Sequence, residues 1–192
     1  GRGVSAQTRP IVLVGCGKMG GALLAGWIGR GVVASRLRVV EPVVALAEAA
    51  RRGHAVVVVD APGALEPSLD PEVVVIAIKP QVVPAAVPAY RRFARPGTLF
   101  LSIAAGKTIA GFERVLGEGT AITRAMPNTP AAIGRGISAV VANRNVTPAQ
   151  RALCQDLLGA LGEVVWLDDE GLIDAVTAVR AAGPHMSRFL SR

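Results

Sequence analysis

Short apolar runs alternate with stretches of helical periodicity along most of the chain. The run "IVLV" (11–14) is continuous and leads into glycines; beyond them Met19, Leu23, Leu24 and Trp27 recur at the spacing of one helix face until Gly31. "LRVVEP" predicts a second strand, and "VVALAEAARRG" a second helix with Gly53 at its C-cap. A third strand is expected at "AVVVV", a fourth in "PEVVVIAIKP", a helical stretch around 82–93, and a fifth strand in "TLFLSIAAG". A helix over 109–116 and strands at "AITRAMP" and "ISAVVAN" follow. Thr147 and Pro148, as N-cap and first helical residue, open a helix to about 161, and "EVVWL" is the last strand. Such alternation predicts a doubly wound, mostly parallel α/β sheet with helices over both faces. From Asp168 the pattern becomes "DDEGLIDAVTAV", an acidic helix start with Leu172, Ile173, Val176 and Val179 as apolar positions and no strand after it. It reads as the first helix of a second, α-helical domain.

Composition agrees. Hydrophobic residues make up 51% and aromatics only 4%, so the core is expected to be Val, Ala, Leu and Ile, the residues of buried parallel strands. The net charge of +7 comes from basic residues spread as singles and pairs such as Arg51-Arg52 and Arg91-Arg92. A nucleic-acid footprint would be clustered, and no such partner is expected. Cys16 and Cys154 lie far apart without a CxxC or Cys/His spacing, so neither a metal site nor a disulfide is expected. No apolar run approaches the roughly 18–20 residues of a membrane span, and no signal peptide is evident, which predicts a cytoplasmic protein that does not engage membranes.

Gly15-Cys16-Gly17-Lys18-Met19-Gly20 is a GxGxxG that directly follows a strand and opens a helix, with an acidic residue, Glu41, ending the next strand. In that setting the three glycines serve a tight turn, close backbone approach to a pyrophosphate, and helix-on-strand packing; the helix N-terminus holds the phosphate charge. Cys16 reads as a small loop residue. Glu41 is placed to accept hydrogen bonds from ribose hydroxyls and to repel a 2′-phosphate, or else to be a solvated carboxylate turned outward by Pro42. "VVVIAIKP", "LSIAAGKT" and "RAMPNTPAAIG" are further strand ends with their loops, where open α/β sheets bind ligands.

This series, the glycine-rich turn, Ile78-Lys79-Pro80, Ala104-Ala105-Gly106, Met126-Pro127-Asn128-Thr129-Pro130 and "LIDAVT" (172–177), resembles pyrroline-5-carboxylate reductase over roughly 11–179. Residues 1–9 are polar and patternless and read as a disordered leader; the resemblance implies a Rossmann-type domain over 10–167 and the start of a helical dimerisation domain at 168–179. It also implies reduction of 1-pyrroline-5-carboxylate to proline, the last step of proline biosynthesis, with NADPH or NADH as cofactor, in a homodimer or higher homo-oligomer. By the same resemblance Val14, Gly15, Cys16, Gly17, Lys18, Met19 and Gly20 hold the pyrophosphate. Glu41 and Asp60 lie along the adenosine. Ala77, Ile78, Lys79 and Pro80 line the nicotinamide ribose, and Ala105, Gly106 and Lys107 continue that wall. Met126, Pro127, Asn128 and Thr129 floor the nicotinamide pocket, with Glu170 on the substrate side. Lys79 reads chiefly as a backbone-positioning residue before Pro80, and no catalytic acid or base is assigned. Hydride delivery to a readily protonated imine mainly needs two rings held face to face, which suits a site poor in His. The alternatives are another oxidoreductase of this fold acting on a small acid, and a dinucleotide-binding fragment without turnover.

After "LIDAVTA" and one more residue the family continues Ser-Gly-Ser-Gly-Pro-Ala-Tyr, whereas here Arg180-Ala181-Ala182-Gly183-Pro184-His185-Met186 stands in its place. Dropping one base from codons for the family stretch yields that heptapeptide. Residues 180–192 are therefore expected to be an aberrant, frame-shifted tail that truncates the helical domain, the alternative being a naturally diverged ending.

Overall fold

The computed structural model describes residues 9–128 and 136–175. Eight strands form one sheet in the order β3-β2-β1-β4-β5-β6-β7-β8, with β1 at Ile11–Val14, β2 at Leu37–Val40, β3 at Val57–Val59 and β4 at Val73–Ile76. β5 spans Leu99–Ser102, β6 Ala121–Asn128, β7 Gly136–Ala142 and β8 Gly162–Trp166. Every pairing is parallel except that of β6 with β7. All positions of β1, β4 and β5 are buried, which is why these strands read as unbroken apolar runs rather than alternating ones. One face packs Leu23, Leu24 and Trp27 of α1 (Lys18–Gly29) and Ala47 and Ala50 of α2 (Val44–His54), together with Cys154, Leu157 and Leu158 of α5 (Pro148–Leu158). The other packs Val83, Val87, Tyr90 and Phe93 with Phe112 and Leu116 of α4 (Ile109–Leu116). Trp27 is 1% exposed, and its indole N–H donates to the Leu157 carbonyl at 2.9 Å, so the bulkiest side chain of α1 is both buried and satisfied.

The expected mostly parallel sheet turns antiparallel at β7: only residues 129–135 separate it from β6, and a parallel return needs a crossover of a dozen or more. Three expectations change. The helical stretch at 82–93 is a four-residue α3 (Val83–Ala86) continued as a 3-10 helix to Phe93, because Pro80, Pro84 and Pro88 withdraw a donor at every fourth position. Gly53 lies inside α2, and the left-handed cap is Ala55 at φ 52°. Arg9, assigned to the leader, is tied down: its guanidinium donates to Gly97 O and Pro71 O, and Arg36 donates to its carbonyl. The expected cap of α5 is present as a capping box between Thr147 and Gln150. Helix reopens at 171 and is described through 175. The rest of the leader, Thr129, Val176, Val179 and the tail fall outside the described residues.

Candidate functional site

The sheet order reverses at β1, which lies between β2 and β4, so a crevice opens above the carboxyl ends of β1 and β4. The glycines of the β1–α1 turn divide the work. Gly15 holds φ +97°, donates its N–H to Val40 O at 2.9 Å, and leaves no room for a side chain, since a Cβ there would come within 2.5 Å of Ala77 O. At Gly20 a Cβ would collide with the carbonyl of Gly15. At Gly17 it would meet nothing within 4 Å, so packing does not demand this glycine. It faces open space at the start of α1, where no side chain caps the helix and no acidic residue stands in the first turn. First-turn N–H groups and the positive end of the dipole are left for an anion from outside. Lys18 is exposed beside them.

Glu41 departs from the solvated, outward-turned reading of the sequence. It is 5% exposed, and its carboxylate turns inward, with one oxygen accepting the Cys16 N–H at 2.7 Å and the other the Val43 N–H at 2.9 Å. Pro42 therefore does not turn it to solvent; an anion in low dielectric takes the nearest main-chain donors. The Cys16 thiol is pushed up by burial and, secondarily, by the Glu41 charge, as suits a small loop residue rather than a nucleophile. Asp60 lies exposed just beyond β3.

Across the crevice Ala77 donates its N–H to Val14 O at 2.8 Å, closing the β1–β4 ladder beneath Ile78. Lys79 is extended (φ −61°, ψ 143°) with an exposed side chain and precedes the Pro80 turn. Beyond β5, Ser102 Oγ accepts the Ala104 N–H at 3.2 Å, and the chain turns through exposed Ala105 and Gly106 (φ +73°) to Lys107. β6 outruns its neighbour: Arg124 stands opposite Ser102, the last residue of β5, so Met126, Pro127 and Asn128 rise above the sheet as a ledge backed by β7. Because Ile122 O accepts the Asn143 N–H on the β7 side, alternation turns the main-chain groups of Thr123, Ala125 and Pro127 toward β5. At 127 there is no β5 residue left to receive an N–H, and proline has none to offer. In sheet order the strand ends thus present Asp60, Glu41, the glycine turn, Ala77–Pro80, Ala105–Lys107 and Met126–Asn128, spread over about 24 Å at ~4.8 Å per strand. A groove of about 710 Å³ between α1 and α5, lined by Trp27, Arg36, Glu72 and Asp156, shares none of these residues.

Residues 10–106, half of the chain, match the family described as NADP oxidoreductase coenzyme F420-dependent. The chain belongs to that family. Within this oxidoreductase family its likeness is to the N-terminal part of pyrroline-5-carboxylate reductases. It is 38% identical over 178 residues to the Pseudomonas aeruginosa pyrroline-5-carboxylate reductase, covering 93% of this chain and 64% of that one. The solved reductase from Coxiella burnetii superposes with a TM-score of 0.84 at 27% identity, covering 95% of this chain and 67% of that one. The Plasmodium falciparum pyrroline carboxylate reductase, solved with NADP bound, shares the fold at a TM-score of 0.76 and 22% identity, covering 95% of this chain and 66% of that one. The chain spans just under two thirds of the length of the curated relatives it matches.

Sequence reasoning passed over one residue of the chain. Arg124 is 3% exposed on the face of β6 that carries Ile122 and Met126, and it pairs with Glu170 at 3.0 Å. A lone arginine inside the apolar strand "AITRAMP" was the available signal, since a charge at an inward position requires a partner. Glu170 itself is engaged by Arg124 and by the Ile109 N–H.

Proposed function

We propose that this chain is the dinucleotide-binding part of an NAD(P)H-dependent reductase that converts 1-pyrroline-5-carboxylate to proline. The observation that carries the reading is the open space at Gly17 in front of the uncapped α1 terminus, in line with the Met126–Asn128 ledge. The cradle fits a pyrophosphate: the first-turn N–H groups of Lys18 and Met19 would hold it, with Cys16 N–H already committed to Glu41. Asp60 and the rim above Glu41 would lie along the adenosine, and Ala77–Pro80 with Ala105–Lys107 would line the nicotinamide ribose. Met126, Pro127 and Asn128, with Thr129, would floor the ring.

NAD(P)H, when bound, supplies the hydride. The residues of the chain bind and orient: a lining made mainly of small side chains and main chain would hold cofactor and substrate face to face and is asked for no proton transfer, which suits a readily protonated substrate imine. We place the protein in the cytoplasm and its active assembly in a homodimer or higher homo-oligomer. Titration with NADH and NADPH beside pyrroline-5-carboxylate-dependent NAD(P)H oxidation tests the proposal. Saturable binding with turnover supports it, binding without turnover reduces it to a nucleotide-binding unit, and no binding refutes it.

A further inference from the structure

The wall at Ala105–Lys107 runs between two fixed points. One is the end of β5, held through Ser102 Oγ. The other is the first residue of α4, Ile109, whose N–H is a helix-start donor with no partner inside the helix. Thr108 caps the Gly111 N–H at 3.1 Å, and the Ile109 N–H goes instead to a residue 61 positions away, donating to Glu170 Oε2 at 2.8 Å. The same oxygen accepts from Arg124 Nη1 at 3.0 Å. Arg124 is sealed in; its other terminal nitrogen lies 3.8 Å from Asp174, a side chain 79% exposed and therefore a screened partner. Glu170, at 29%, is its principal counter-charge. Two residues along β6, on the face that carries Arg124, is Met126 of the ledge.

We propose that Glu170 is a positioning residue: by bridging the buried Arg124 and the Ile109 N–H, it sets the Ala105–Lys107 wall against the Met126–Asn128 ledge and so determines the affinity for the nicotinamide half of the dinucleotide. The inference rests on the placement of the dinucleotide given above. One oxygen joins three pieces that the sheet does not hold together: the start of α4, the level of β6 where β5 ends, and the segment that leaves the sheet after β8. Without it the α4 end of the wall is held only by the packing of Ile109, Phe112 and Leu116 and loses its polar tie to β6, while the glycine turn and Glu41 are untouched.

The test compares NADH with ADP, which lacks both the nicotinamide and its ribose, by titration of the 192-residue chain as wild type, Glu170→Ala and Glu170→Gln. The wild type should bind NADH more tightly than ADP. Glu170→Ala should weaken NADH on the order of tenfold, the worth of one charge-assisted hydrogen bond, and leave ADP unchanged. Glu170→Gln should recover part of the loss, because its amide oxygen still accepts the Ile109 N–H. NADH fluorescence enhancement on binding should follow the same order. If Glu170→Ala does not fold, because it strands the Arg124 charge, the double variant Arg124→Met/Glu170→Met removes both charges and should show the same selective loss. A folded variant that binds NADH like the wild type overturns the inference, as does an equal loss of both ligands, or a wild type that does not distinguish them. A wild type that binds neither refutes the nucleotide site, and this inference with it.

Discussion

Glu41→Gln changes two atoms' worth of chemistry at a buried junction. In the native chain both carboxylate oxygens accept main-chain N–H groups, at 2.7 Å from Cys16 and 2.9 Å from Val43, and the side chain is too enclosed for water to replace either. A glutamine offers one oxygen, and its NH₂ must face the second N–H donor. One charge-assisted bond becomes a neutral one and a buried donor loses its acceptor, which together cost about 2 kcal/mol. For a chain of this length that lowers the melting temperature by roughly 4–8 °C. On the proposed placement of the dinucleotide, the same substitution also removes a negative charge from beneath the adenosine ribose. Its repulsion of a 2′-phosphate would be worth on the order of 1 kcal/mol, so the wild type should bind NADH at least as well as NADPH, and the variant should shift about fivefold toward NADPH. Calorimetry and parallel titrations of the two cofactors read both effects. A variant as stable as the wild type, with the same cofactor ratio, would refute the assignment of Glu41 as both the brace of the glycine turn and a determinant of cofactor choice.

Gly17→Val should abolish dinucleotide binding with an unchanged circular dichroism spectrum, because its side chain enters space that no protein atom occupies; unaltered affinity in the folded variant would move the phosphate site elsewhere. Gly20→Ala should lose both binding and about 1–3 kcal/mol of stability in denaturant titration, since its Cβ meets the fixed carbonyl of Gly15 rather than a mobile side chain. Burial pushes the Cys154 thiol from the ordinary 9.0 up to about 12. The folded state therefore holds that proton more tightly than the unfolded chain, and the associated stability is intact below pH 9.0 and declines as pH rises toward 12. Unfolding titrations over that window should show the decline, and Cys154 should resist alkylation at neutral pH until the chain is unfolded.

What could be read from the sequence was what local rules govern. The strand–glycine–helix unit at 11–29 is marked by a continuous apolar run, three glycines and a helical period, and each signal is confined to a few residues. The direction of β7 is not local: it depends on whether the connection from β6 can carry a crossover, and alternation alone was too coarse a guide. The inward turn of Glu41 was equally hidden, because it depends on donors 25 and 2 residues away that the fold brings together. Proline spacing at 80, 84 and 88 was legible and underweighted. Arg124 was visible only as an anomaly, and its partner lay 46 residues on.

The ledge of β6 also bears on how the molecule avoids its own copies. A strand that outlasts its neighbour exposes an unpaired row of main-chain groups, a template on which another chain could add a strand. On the β5 side of the ledge the first residue past the last rung is Pro127, which offers a ring where a donor would be needed. The β6 edge can therefore extend past β5 without becoming a seed for edge-to-edge assembly. Replacing Pro127 by a β-branched residue would restore the missing donor and leave the ledge open to strand addition by a second chain.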